Sequence, residues 1–339
     1  MTRHKRLLGL LVVMTTLVFT TACSMGVANG SKRTFISVAT ASTGGTYYPI
    51  GVGLGNVWTE LLYDEGIKAN GQSSAGSIEN IHLLSNDEAQ VAILQGLIAS
   101  QAYDGQNSFE GKAYKDLRTI SMLWPNVEHF VLMNREKETG TIADIKKNSF
   151  SVGPQASGTE ASTLVIMQGL GLTKKSIAPE YLGYDDTISA MRDGRLDGGS
   201  LPAGVPVGAI TDMYASNVKA SVLDVTDEQL DAINAVSNSW YRFTIPAGTY
   251  PKVDQDIQTI AQPNLLATSK EMDADIIYKL TKTMYENLDK VYDIHKSAHN
   301  IKLETALDGL SVPLHEGAYR YFKEVGLEIP KELVPPEAK

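Results

Sequence analysis

The 339-residue chain holds a single cysteine, Cys23, so no disulfide framework is available to it and stability has to come from an ordinary core. Once Cys23 is read as the terminus of a processed chain, cysteine catalysis is excluded. Long apolar runs are equally scarce. Only Leu7–Phe19 is continuous, and its 13 residues fall short of the ~20 needed to span a bilayer. Positive charge is also in deficit, with 30 Lys and Arg against 39 Asp and Glu and a net charge of −9. That balance argues against a nucleic-acid partner but not against an anionic ligand, because local dipoles govern a binding site.

Catalytic and nucleotide motifs are missing as well. No Lys follows Gly44-Gly45, so a phosphate loop of the G-x-x-x-x-G-K-[ST] kind is excluded. Gly51-x-Gly53-x-Gly55 fails the dinucleotide pattern because Asn56 occupies the next position, and these glycines read as close-packing positions inside a helix. Ser157 lacks the flanking glycines of a nucleophile elbow, since Gln155 and Thr159 stand there. His295 and His299 are four apart without the Glu of H-E-x-x-H and read as a solvated face. His82, His129 and His315 have no defensible partner spacing. Asp185-Asp186 reads as a pair of helix-dipole partners. The expectation is therefore no enzyme, no metal and no cofactor.

What is present begins with an export signal. Arg3, His4, Lys5 and Arg6 precede the apolar run, and Thr20-Thr21-Ala22 precede Cys23. Residues 1–22 read as a signal peptide of the lipoprotein type, with Cys23 as the lipid-modified residue. Thr20 departs from the usual Leu, and ordinary cleavage after Ala22 or later is the alternative. Residues 23–33 read as a tether. The mature part is long enough for two lobes.

Strand-like and helix-like stretches then alternate, which predicts an α/β fold. The spacing of Leu54, Val57, Trp58, Leu61 and Leu62 predicts a helix opening at Pro49. Residues 180–184 read as a strand, 186–193 as a short helix, 262–269 as a strand crossing back, and 273–290 as one long helix. Three turns share a design in which a strand ends, small residues follow, and a helix begins. They are Thr43-Gly44-Gly45-Thr46, Ala75-Gly76-Ser77 and Ala156-Ser157-Gly158-Thr159-Glu160, the last with capping-box spacing. Helix N-termini present unpaired N–H groups and positive dipole ends, so three such turns together predict an anion cradle. Taken singly, each turn is also ordinary α/β punctuation. Tyr47 and Tyr48 read either as aromatic walls for a solute or as packing at a helix entry, with one facing the cleft and the other the core.

The segments STGGTYYPIG, SSAGSIENIHLL, VAILQG, SVGPQASGTEAS, PAGVPVGAI, IPAGTYP and LETALDGLSVPLHEGAYRYFKEVG occur in this order. Over about residues 34–327 the chain resembles the TAXI-type solute receptors of TRAP transporters. The resemblance implies a two-lobed periplasmic-binding-protein fold (type II) with two crossover strands and a ligand cleft between lobes. Residues 34–131 plus 266–339 would form one lobe and 132–265 the other. It implies a monomeric receptor that captures glutamate, 2-oxoglutarate or a similar small organic acid or amino acid. The receptor would then deliver its solute to TRAP permease subunits driven by an ion gradient. A ligand-sensing receptor for a membrane sensor kinase is the alternative. Carried onto this sequence, the binding candidates are Thr43, Gly44, Gly45, Tyr47, Tyr48, Ser77, Asn80, Gln95, Ser157, Gly158 and Thr159, with Ala203 and Gly204 beside them. Gly198-Gly199-Ser200 departs from the larger residues usual before the family's AG, which implies a wider or more polar pocket. No Arg lies inside these motifs; Arg242 is the nearest and reads as surface.

Overall fold

The computed structural model describes residues 33–338; the signal segment, Cys23 and most of the tether lie outside the described residues. β1 (Thr34–Ala39), α1 (Tyr47–Leu61), β2 (Ile67–Gln72), α2 (Ser77–Ser85), β3 (Val91–Gln95) and α3 (Gly96–Asp104) wind a parallel unit with β1 between β2 and β3. β4 (Leu117–Val127) then leads out to β5 (Phe130–Met133) of a second sheet. There β6 (Ser149–Ser151), α4 (Gly158–Gly169), β7 (Ala178–Glu180), α5 (Tyr184–Arg192) and β8 (Gly198–Ser200) follow in turn. α6 (Gly208–Ala215), β9 (Ala220–Val222) and α7 (Asp227–Val236) complete that region, and the second sheet has the order β7-β6-β8-β5-β9.

The chain returns through β10 (Tyr241–Ile245) and β11 (Ile257–Ser269), and ends with α8 (Ala274–Glu286), α9 (Leu288–Tyr292) and α10 (Glu316–Glu324). The first sheet has the order β10-β11-β3-β1-β2, with β4 also paired to β11. β4 and β11 run antiparallel from Leu117–Ser269 to Val127–Ala261 and form the longest ladder of the first sheet. No helix among the described residues is long and apolar enough to cross a membrane.

Close packing explains the glycines of α1. A Cβ on Gly51 would lie 2.3 Å from Thr40 Cγ2, and one on Gly55 would lie 3.1 Å from Asn70 Cα. The helix therefore presses directly on β1 and β2, with Ile50, Leu54 and Trp58 buried beside the glycines. One hydrophobic cluster runs from Ile36, Trp58 and Leu280 through Trp124 to Phe150, Ile166 and Ile233. A second packs Val131 against Ile188, Met191, Ile210 and Met213 on the other face of the second sheet. That sheet is covered on both faces, as short parallel strands require.

Several local expectations change. α1 opens at Tyr47, two residues before Pro49. Residues 181–183 are not strand; β7 ends at Glu180 and α5 starts at Tyr184, with Asp185 and Asp186 placed favourably in its first turn. The expected long C-terminal helix is split at Asn287, where φ −131° and ψ 41° leave the helical region and the side-chain amide donates to Thr283 O at 2.9 Å. β11 extends back to Ile257, and β10 was not foreseen at all.

Candidate functional site

Where each parallel strand ends, a helix begins, and four of these beginnings meet in one cavity. Its wall includes Gly45, Thr46 and Tyr47 from the start of α1, Gly76 and Ser77 from α2, Gly158 and Thr159 from α4, and Tyr184 from α5. Gln95, Ser42, Pro154 and Pro202 contribute the remainder of the polar and turn surface. With the walls this close, the cavity has a volume of about 30 Å³. Among the described residues no Lys, Arg or His lines it.

The backbone supplies the donors. Ser157 caps α4, its Oγ accepting from Glu160 N at 2.9 Å. Glu79 N, in the first turn of α2, donates across the cleft to Ala156 O at 3.1 Å. The N–H groups of Ser77, Ile78, Gly158 and Thr159 find no protein acceptor among the described residues. They are the unpaired donors that any helix start leaves over, gathered here from both sides of one cleft.

The two sides touch. Thr43 Oγ1 donates to Asp185 Oδ2 at 3.0 Å, Ala209 N to Gly44 O at 3.2 Å, and Gly204 N to Thr46 Oγ1 at 3.0 Å. A Cβ on Gly158 would lie 2.8 Å from both Gln95 Oε1 and Ser77 Oγ. The lobes are therefore shut on each other, and glycine is the residue that lets α4 approach so closely.

Tyrosines form the neutral walls. Tyr184 exchanges a hydrogen bond with Thr159 Oγ1 at 2.9 Å and donates to Pro202 O at 2.6 Å. Burial pushes its phenol well above the usual range. Tyr47 is raised for the same reason, and its hydroxyl donates to Asn264 Oδ1. Both stay protonated donors. Tyr47→Phe removes the partner of buried Asn264 and is expected to cost ~1–3 kcal/mol in urea denaturation; an unchanged midpoint would contradict this bond.

Of the sequence candidates, Gly45, Tyr47, Ser77, Gln95, Gly158 and Thr159 stand together on the cavity wall. Thr43 and Gly44 lie at the seam with Asp185 and Ala209. Tyr48 is half-buried and off the wall. Asn80 stands one layer behind, fully buried, its amide donating to Thr40 O at 2.7 Å and Ile93 O at 2.9 Å. Ser157 serves as the cap of α4. Ala203 pairs its backbone with Val127, and Gly204 packs on Trp124 and Ser297.

Thr46, Tyr184, Pro154 and Pro202 were missed. The signal for Tyr184 was the Gly-Tyr-Asp-Asp helix start, obscured by reading 180–184 as a strand. Gly198 and Gly199 do not widen the pocket. Their Cβ positions would collide with Val131 O at 2.4 Å and Thr187 Cγ2 at 2.6 Å, inside the second sheet and its helix. Arg242 is committed to Val225 O, Thr259 O and Asp227. His295 accepts from Ser297 N, and His299 stacks on Tyr292. Among the described residues no His, Cys, Asp and Glu side chains group to hold a metal.

The sequence model of the NMT1-like family matches residues 38–326, most of the chain and every element around the cavity. The chain belongs to the NMT1-like family. Among solved structures, this family member resembles PhnD1 from Prochlorococcus marinus (MIT 9301), in complex with methylphosphonate. The identity is 11% and the TM-score 0.51, over 86% of this chain and 97% of that one. The alkanesulfonate-binding protein SsuA from Xanthomonas axonopodis pv. citri, bound to MOPS, matches at 10% identity and TM-score 0.46, over 87% and 92%. A histidine kinase sensor domain similar to periplasmic binding proteins matches at 9% and 0.48, over 80% and 98%. The NMT1-like chain thus has the two-lobed, mixed α/β periplasmic-binding-protein fold of type II, the fold of extracytoplasmic solute-binding receptors.

Proposed function

We propose that this protein is an exported receptor that captures a small organic acid between its lobes and hands it to an ion-gradient-driven TRAP permease. The observation that carries the reading is the shut cavity, ringed by four helix N-termini, two of which, α2 and α4, present N–H groups without acceptors, and lined among the described residues by no cation. Hydrogen bonds to a charged group are worth ~1.5–3 kcal/mol each, so several of them with packing reach the about −8 kcal/mol of a micromolar complex. The absence of a base beside a nucleophile on the wall favours binding over turnover. The binding of methylphosphonate by PhnD1 accords with an anion as ligand. Cys23, as a lipid-bearing terminus, would tether the receptor to the membrane as a monomer.

Thermal-shift screening against small mono- and dicarboxylates tests the reading. A true solute at a hundredfold excess over its Kd stabilises the protein by about 2.7 kcal/mol and raises Tm by several degrees. The compound should remain chemically unchanged after incubation. Stabilisation only by sugars or cations, or conversion of the stabilising compound, overturns it. Transport is tested separately, in vesicles carrying the permease. Uptake should require the receptor and an ion gradient and proceed without ATP; ATP dependence contradicts the TRAP assignment.

A further inference from the structure

Glu128 and His129 link β4 to β5, where the chain passes from the first sheet to the second, and both side chains are fully buried. His129 is satisfied by Val127 O at 2.9 Å and the Tyr250 hydroxyl at 2.8 Å. Glu128 is not. Its Oε1 accepts from the Trp240 indole at 3.0 Å, and its Oε2 has no hydrogen-bond partner. Among the described residues no cation offsets its charge; burial raises its carboxyl, opposed by the Trp240 bond and by the nearby Gln262 amide, which stands too far or too poorly aligned to close a hydrogen bond.

A row of polar groups leads from this carboxylate to the cavity. Trp124 and Asn126 alternate along β4, and Glu128 continues the alternation one residue past its end. Opposite them on β11, Asn264 pairs with Trp124 and Gln262 with Asn126. Trp124 Nε1, both polar atoms of the Asn126 side chain, Gln262 Nε2 and Asn264 Nδ2 are buried without partners. Tyr47 ends the row on the cavity wall. Its hydroxyl donates to Asn264, and its ring meets Trp124 edge-on with centroids 5.9 Å apart. The negative charge of Glu128 reaches both tyrosine walls, where it adds to burial in keeping Tyr47 and Tyr184 protonated.

An uncompensated carboxylate behind the floor of an anion cradle opposes a second negative charge at that end of the solute. Resting on the reading of the solute as an organic acid, we propose that Glu128 is the charge-selecting residue of the cleft. It favours acids that carry an ammonium group over dianions of the same shape. One unit of charge about 10 Å away, at an effective dielectric of about 20, changes an affinity roughly tenfold. The helix starts hold the carboxylate that every ligand shares, and Glu128 grades what sits at the other end.

The probe pair is glutamate and 2-oxoglutarate, which share a carbon skeleton and differ by an ammonium in place of a ketone. Calorimetry on one preparation of the full mature chain gives both affinities, and their ratio does not depend on the folded fraction. The wild-type protein is expected to prefer glutamate, and Glu128→Gln to lower that preference about tenfold, while Glu128→Asp keeps it. A second arm needs no variant. Burial holds the Glu128 carboxyl at about 7, so the preference should shrink between about pH 8 and about pH 6 as the charge is lost. The neighbouring titratable groups are silent there, since Tyr47, Tyr184 and Tyr250 are raised and His129 is lowered to about 4. Binding of both acids with a ratio unmoved by Glu128→Gln, or by pH if that variant does not fold, overturns the proposal alone. Failure of the wild-type protein to bind any organic acid overturns the receptor reading and this proposal with it.

Discussion

Replacing Gly158 with valine leaves a folded protein whose affinity for its solute has fallen at least ~100-fold, a loss of about 2.7 kcal/mol. The nearest atoms that the substituted side chain meets belong to the other lobe. A Cβ at this position lies 2.8 Å from Gln95 Oε1, 2.8 Å from Ser77 Oγ and 2.9 Å from Gln95 Cδ. Ser77 cannot turn away without giving up the bond its Oγ accepts from Gln95 N at 3.0 Å. Each lobe folds as before, because Ser157 still caps α4 and its buried residues Ile166 and Met167 are untouched. The lobes, however, no longer meet, and affinity falls with the population of the shut state. Calorimetry reads the loss, small-angle scattering reads a larger radius in the presence of solute, and circular dichroism checks the fold. Wild-type affinity in this variant would show that lobe contact at α4 is not part of binding.

The second large effect is on stability. Burial raises the Glu128 carboxyl from 4.5 to about 7. The folded state therefore holds this proton more tightly than the unfolded chain does. Its contribution is complete below about pH 4.5 and is lost as pH rises through about 7, an amount of about 3 kcal/mol. His129 and His315 act oppositely. Both are lowered from 6.5 to about 4 by burial, so what they contribute is present above about pH 6.5 and lost as pH falls toward 4. The wild-type protein should thus be most stable near about pH 6.5. Glu128→Gln removes only the carboxyl contribution. Its stability relative to wild type should improve by about 3 kcal/mol between about pH 4.5 and about pH 8 in urea denaturation. Parallel curves for the two proteins would mean that Glu128 is not held as the buried, unpaired group described here.

The turns of the site were legible in sequence because their logic is local. A strand that ends in small residues before an apolar helical period announces a helix start, and Gly44-Gly45, Gly76-Ser77 and Ser157-Gly158 all do so. Close packing of α1 was legible for the same reason, from glycines at a four-residue interval. What was not legible depends on the meeting of distant segments. Tyr184 and Pro202 become walls only when the second sheet closes over the first. β10 is a strand because β11 offers it a partner. The burial of Glu128 and His129 was not legible either, because it depends on the segments that meet where β4 passes into β5. Asn80 fits the turn pattern of a ligand contact, and its amide instead ties β1, β3 and α2 together. The glycines at 198 and 199 likewise suggested a pocket wall and proved to serve sheet packing.

Native mass spectrometry of the protein tests the central claim most directly. Purified under non-denaturing conditions from cells that express the 339-residue chain, it should carry one small solute. That solute should leave on denaturation and be identified as an organic acid, and Gly158→Val should carry none. A carried sugar, cation or peptide, or an acid retained equally by the Gly158→Val protein, would contradict the account.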